Sequence, residues 1–195
     1  MKNAARKIYI GLIILFLYAP IGTLMVLSFN ASKTRAKWGG FTLKWYSSLF
    51  QNRDIMQALG NTLSIALISS LVAVIIGTIA CIAMQRMKKS TRNVLLGITN
   101  IPMLNADIVT GISLMLLFIS LGFRFGYGTI LLSHITFNIP YVILSIMPRI
   151  RQLNPSTYEA ALDLGASHFT AFFKVVFPDL LPGILSGFLM AFTMS

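Results

Sequence analysis

The chain has 195 residues, 56% of them hydrophobic and 11% charged, with a formal net charge of +11. A soluble globular domain carries about a quarter charged residues, so this composition excludes one and selects an all-α polytopic membrane protein, a bundle of transmembrane helices. The Lys and Arg residues mostly flank apolar runs, as in a protein that meets anionic lipid and not nucleic acid, and the one cysteine, Cys81, lies inside an apolar run and supplies neither a disulfide framework nor a metal site.

The N-terminus carries Lys2, Arg6 and Lys7. Residues 8–29 then form an apolar run long enough for a hydrocarbon layer of about 30 Å. The run is too long for a typical signal peptide and no small-x-small cleavage site follows, which predicts a retained first span with a cytoplasmic N-terminus. Pro20 and Gly22 are tolerated in such a helix. Residues 30–60 are the longest polar segment, with Lys33, Arg35, Lys37, Lys44 and Arg53 interleaved with Trp38, Trp45 and Tyr46. Mixed aromatic and basic residues beside a span predict an interfacial segment on the outer leaflet.

Residues 62–84 form the second predicted span. Ser64, Ala66, Ser69, Ser70, Ala73, Gly77 and Ala80 make it rich in small residues, which let helices approach closely in lipid. Arg86, Lys88, Lys89 and Arg92 mark a cytoplasmic loop. Residues 94–121 are long for one span and are interrupted by Asn100, Pro102, Asn105 and Asp107. They predict a helix broken near Pro102 and restarting near Ala106, an arrangement found where backbone lines protein or a watery path. After a turn containing Arg124, residues 127–147 form the fourth predicted span.

Residues 148–182 read as a cytoplasmic loop. Asn154 before Pro155 is a helix-start signal. Tyr158, Ala161, Leu162 and Leu164 give the following short helix an apolar face, and Gly165 ends it. Ser167 caps a second short helix predicted to reach Val176, with Pro178 and Pro182 as stops. The apolar run from Gly183 to Ser195 has 13 residues, short of the roughly 20 that a helical span needs. It predicts an incomplete fifth span in a C-terminally truncated chain. With this topology ten basic residues lie inside and six outside, Lys174 among the former and Arg124 among the latter. The bias is modest but has the expected sign.

Glu159-Ala160-Ala161, three residues, Gly165, nine residues, then Val175-x-Phe177-Pro178 resembles the EAA loop of ABC importer membrane subunits. Val and Phe replace the family's Ile and Leu, and every spacing is kept. The resemblance extends over nearly the whole chain and implies the helix bundle of type I ABC importer permeases. Softer matches resemble the spermidine/putrescine permease subunits, the second of the pair in particular. They are Asp107-Ile108-Val109 with Gly111-Ile112-Ser113-Leu114, Ser133 to Phe137, Glu159 to Ser167, and Phe192 to Ser195. The segment from Trp38 to Phe50 resembles the external segment after the first span of the importer permeases.

The resemblance implies a multi-pass protein of the bacterial inner membrane and a non-catalytic transport subunit. It implies a sister permease, two cytoplasmic ATPase subunits and an extracytoplasmic substrate-binding protein as partners. Glu159, Ala160, Ala161, Gly165 and Ala166 would form the ATPase-coupling surface, with Glu159 meeting a basic groove residue. The chain lacks the phosphate loop G-x-x-x-x-G-K-[ST], so no cofactor is expected of it and ATP would be bound by the partner.

Four residues are candidates for the substrate path: Asp107, Tyr127, His134 and Tyr141. Asp107 is an acid beside the helix break, where a carboxylate meets a protonated amine or merely complements a helix dipole. His134 either bonds between helices or serves transport. Tyr127, Tyr141 and Phe137 either stack on an ammonium or pack. The competing functions are a stand-alone secondary carrier or channel, an importer permease for another small solute, and a membrane assembly factor that transports nothing.

Overall fold

The computed structural model describes residues 2–34 and 37–195, so Arg35 of the basic outer segment lies outside the described residues. The chain divides into two compact units, residues 1–59 and 60–195. Among the described residues, four helices are long and apolar enough to cross a membrane, and a fifth crossing arises if one bent pair is a single span. This is a multi-pass membrane protein built from helices.

In the first unit α1 (Lys2–Leu27) includes the predicted span and runs through Pro20. The chain after it is tied by one side chain. Asn30 Nδ2 donates to the Lys37 carbonyl at 2.8 Å, and Asn30 Oδ1 accepts from the backbone N–H of Ser32 at 3.1 Å and of Gly39 at 2.7 Å. Trp45 Nε1 donates to the Asn30 carbonyl at 2.8 Å, and Phe29 stacks on Phe41 with ring centroids 5.2 Å apart. Phe29, Phe41, Trp45 and Tyr46 are therefore the packing of an ordered turn that leads into α2 (Lys44–Gln51). Asn52 separates α2 from α3 (Arg53–Gln85), where its Oδ1 accepts from the N–H of Asp54 and Ile55. The second long helix thus starts nine residues before the predicted 62, because Asn52 supplies a start signal that the search for apolar residues passed over.

The second unit takes α3 from residue 60 onward. Ala66, Ser69, Ser70, Ala73, Gly77, Cys81 and Met84 are buried at three- and four-residue spacing, so the small face is the packed face. It meets α6 (Tyr127–Gln152), whose Val142, Ile146 and Ile150 are the centre of the core together with Leu180 and Ala191. The helix predicted to break near Pro102 is two helices, α4 (Lys89–Leu104) and α5 (Asp107–Ser120), bent by 104°. The break falls at Asn105 and Ala106. Pro102 stays inside α4 at the cost of one backbone bond to the Ile98 carbonyl, a loss that membrane helices tolerate.

α7 (Pro155–Asp163) and α8 (His168–Ala171) follow, then a π turn over Phe172–Val176 and α9 (Phe177–Met194). Here two expectations fail. The second loop helix is α-helical only to Ala171, and neither Pro178 nor Pro182 stops the chain. The N–H of Phe177 reaches the Phe172 carbonyl, five residues back, and this wider turn takes up the first proline; the second is carried inside α9. Helix therefore runs from His168 to Met194, 27 residues and apolar enough to cross. A last span of only 13 residues, as predicted, is not what forms, because the apolar helix begins well before Gly183.

Candidate functional site

Two regions bring the expected residues together. The first is the loop around α7. Asn154 Oδ1 accepts from the Ser156 N–H at 3.1 Å and opens the helix. At the other end the N–H of Gly165 bonds the Leu162 carbonyl at 2.9 Å, and that of Ala166 bonds the Ala161 carbonyl at 3.0 Å. This paired closure requires a left-handed residue, which Gly165 is, with φ +86°. Ser167 Oγ accepts from the Thr170 N–H at 3.2 Å, which starts α8. Tyr158 and His168 bridge α7 to α8, with the phenol oxygen 3.1 Å from Nδ1.

On this frame Glu159, Ala160 and Gly165 are exposed and Ala161 and Ala166 half-buried. Leu164, expected on the apolar inner face, is instead 89% exposed, and Phe169 is 73% exposed. The turn at Gly165 swings Leu164 out of the helix line. Glu159 also borders a largely apolar cavity of about 250 Å³, lined by Ile82, Ile150, Phe172 and Leu180, whose charged members are Arg86 and Asp179. The arrangement is a rigid knob with an acid and two large apolar side chains turned outward.

The second region is a cleft of about 210 Å³ lined by Asp107, Thr110, Gly111, Ser133, His134 and Phe137. Asp107 is the first residue of α5 and is exposed, while His134 is half-buried on α6. A carboxylate, an imidazole and a phenyl face at one cleft suit an ammonium ligand. Tyr141 does not line it; its ring packs against Phe137 at 5.4 Å. Tyr127 is elsewhere too, its hydroxyl donating to Ser64 Oγ at 2.9 Å across α6 and α3. The sequence reading took Ser69 only as one of a small-residue face and Ser195 only as part of a family match, and gave neither a polar role; both bond into the same interior. Two serines in apolar helices carry no signal until the helices are packed.

Residues 73–195 match the family described as "Binding-protein-dependent transport system inner membrane component". The chain is 37% identical over 180 residues to the spermidine/putrescine transport system permease protein PotC of Escherichia coli strain K12, covering 92% of this chain and 68% of that protein. It is 38% identical over 187 residues to the putrescine transport system permease protein PotI of the same strain, covering 92% and 66%. A PotC homolog of Mycoplasma genitalium is 34% identical over 195 residues, covering 92% and 68%. The spacing of the EAA-like loop, the helical membrane fold and these matches agree, and the chain belongs to the family of binding-protein-dependent transport system inner membrane components.

Proposed function

We propose that the chain is the permease subunit of an ATP-driven importer of polyamines of the spermidine and putrescine type. The observation that carries this reading is the knob at Glu159 to Ala166, with Leu164 and Phe169 facing outward from a loop between two apolar helices. Large exposed apolar side chains on a polar loop mark an interaction site. One of two cytoplasmic ATPase subunits seats this knob, with Glu159 facing a cation of its groove, and the other meets the sister permease. They also bind the ATP, for which this sequence has no phosphate loop. A sister permease completes the path and an external binding protein delivers the substrate. The N-terminus is then cytoplasmic, in a bacterial inner membrane.

Polyamines are favoured over other solutes by the names of the relatives and by the Asp107 cleft, whose carboxylate pairs with an alkylammonium. The deciding experiment is uptake of labelled spermidine into proteoliposomes holding the full chain, with the sister permease, ATPase and binding protein added singly and together. Uptake is expected only with the ATPase present and ATP supplied. Uptake by this chain without any ATPase overturns the proposal and makes it a stand-alone carrier.

A further inference from the structure

Four polar side chains inside the second unit are joined in a row. Asn138 and Ser69 are fully buried, each with 0% exposure. Asn138 Nδ2 donates to Ser69 Oγ at 3.2 Å. Ser69 Oγ lies 3.1 Å from Ser195 Oγ, and Ser195 Oγ lies 2.7 Å from His134 Nδ1. The row joins α3, α6 and the end of α9. It begins in the core and ends at the wall of the cleft that His134 shares with Asp107.

The row has a direction. Asn138 Oδ1 has no partner. Turning the amide over would bury N–H groups without acceptors, and an orphaned carbonyl is the less costly of the two. The amide nitrogen only donates, so Ser69 accepts from it and passes its own proton onward. Ser69 has two acceptors within reach, Ser195 Oγ at 3.1 Å and the Ala66 carbonyl at 3.3 Å, so the direction of the row is set at its other end. Ser195 then donates to His134, and 2.7 Å is short for an N–H donor and ordinary for an O–H donor. Hydroxyls that accept behind and donate ahead strengthen one another. Nδ1 is therefore an acceptor, and the ring proton belongs on Nε2.

We propose that Asn138, Ser69 and Ser195 are positioning residues that hold His134 as its Nε2–H tautomer, so that its donor points to the cleft and keeps the Asp107 carboxylate turned toward an arriving alkylammonium. Only the last clause rests on the permease reading above. The row also accounts for two fully buried polar residues, which are costly in a membrane core unless bonded.

The test is ¹⁵N NMR of histidine-labelled full chain in lipid nanodiscs. The sequence has two histidines, and a His168→Gln variant assigns the signals. His134 is expected as a single Nε2–H form. Ser195→Ala should yield a mixture of tautomers, Ser195→Thr should restore the single form, and Ser70→Ala, a buried serine outside the row, should leave it alone. In the assembled importer, Ser195→Ala should weaken spermidine binding about three- to tenfold, the size of one lost neutral hydrogen bond. An Nδ1–H form in the unaltered chain, or a spectrum indifferent to Ser195→Ala, overturns the row. A tautomer change with unaltered spermidine affinity in an active importer overturns its link to Asp107. A single Nε2–H form in a chain that never imports polyamine leaves the row standing and counts against the proposed function instead.

Discussion

Single atoms decide two outcomes. At Gly77 an added Cβ would lie 2.6 Å from Val142 Cγ1, inside the most tightly packed part of the core. Gly77→Ala should cost about 1–3 kcal/mol as an overpacked contact, read as a lowered unfolding temperature in detergent, and Val142→Ala in the same chain should recover most of it. The sequence made Gly77 visible as part of a small-residue face, but not its partner, since no local pattern names the residue on a facing helix. At Asp107 the two candidate roles part under one substitution. Asp107 is the first residue of α5 and makes no cap bond, so Asp107→Asn removes the charge and costs α5 only the dipole contribution, about 0.3–1 kcal/mol. Spermidine uptake, normalised to assembled complex, should fall about tenfold, the loss of one charge-assisted bond. Unchanged uptake would leave Asp107 with a helix-dipole role alone.

Among the elements, the α7 loop was the most legible. Asn154, Gly165 and Ser167 act locally, each on backbone groups within a few residues, so their roles follow from sequence and hold in the structure. The run from Phe172 to Pro182 was not legible. Proline reads as a stop wherever the bond pattern is that of an α-helix, and the π turn that precedes Pro178 changes the pattern. Asn105 was read as one interruption among four, and the break was put near Pro102, three residues earlier, because proline is the stronger local signal. The knob itself invites a two-part test. Glu159→Ala with Gly165→Pro removes the outward acid and forbids the left-handed turn at φ +86°. Copurification with the ATPase should drop sharply while the helices of the membrane unit persist by circular dichroism. Leu164→Ser with Phe169→Ser should do the same without touching the backbone. Full copurification with both pairs would remove the loop from the contact.

For the molecule as a whole, the sidedness of the membrane follows from the proposed coupling. Single cysteines at Ser167 and Ser47, in a Cys81→Ser background, should react with an impermeant maleimide from opposite sides. Ser47 should label in intact cells and Ser167 only after the cells are opened; the reverse would invert the topology. The helical run from His168 through Met194 ties the loop to the core. At 1.5 Å per residue the stretch from His168 to Ser195 is about 40 Å long, so a tilt of about 3° at the loop moves Ser195 by about 2 Å. Ser195 Oγ lies 2.7 Å from His134 Nδ1. The run is a lever, and the Ser195 hydroxyl is a strain gauge on it: the histidine resonance should report, from inside the bilayer, whether an ATPase has pushed on the loop.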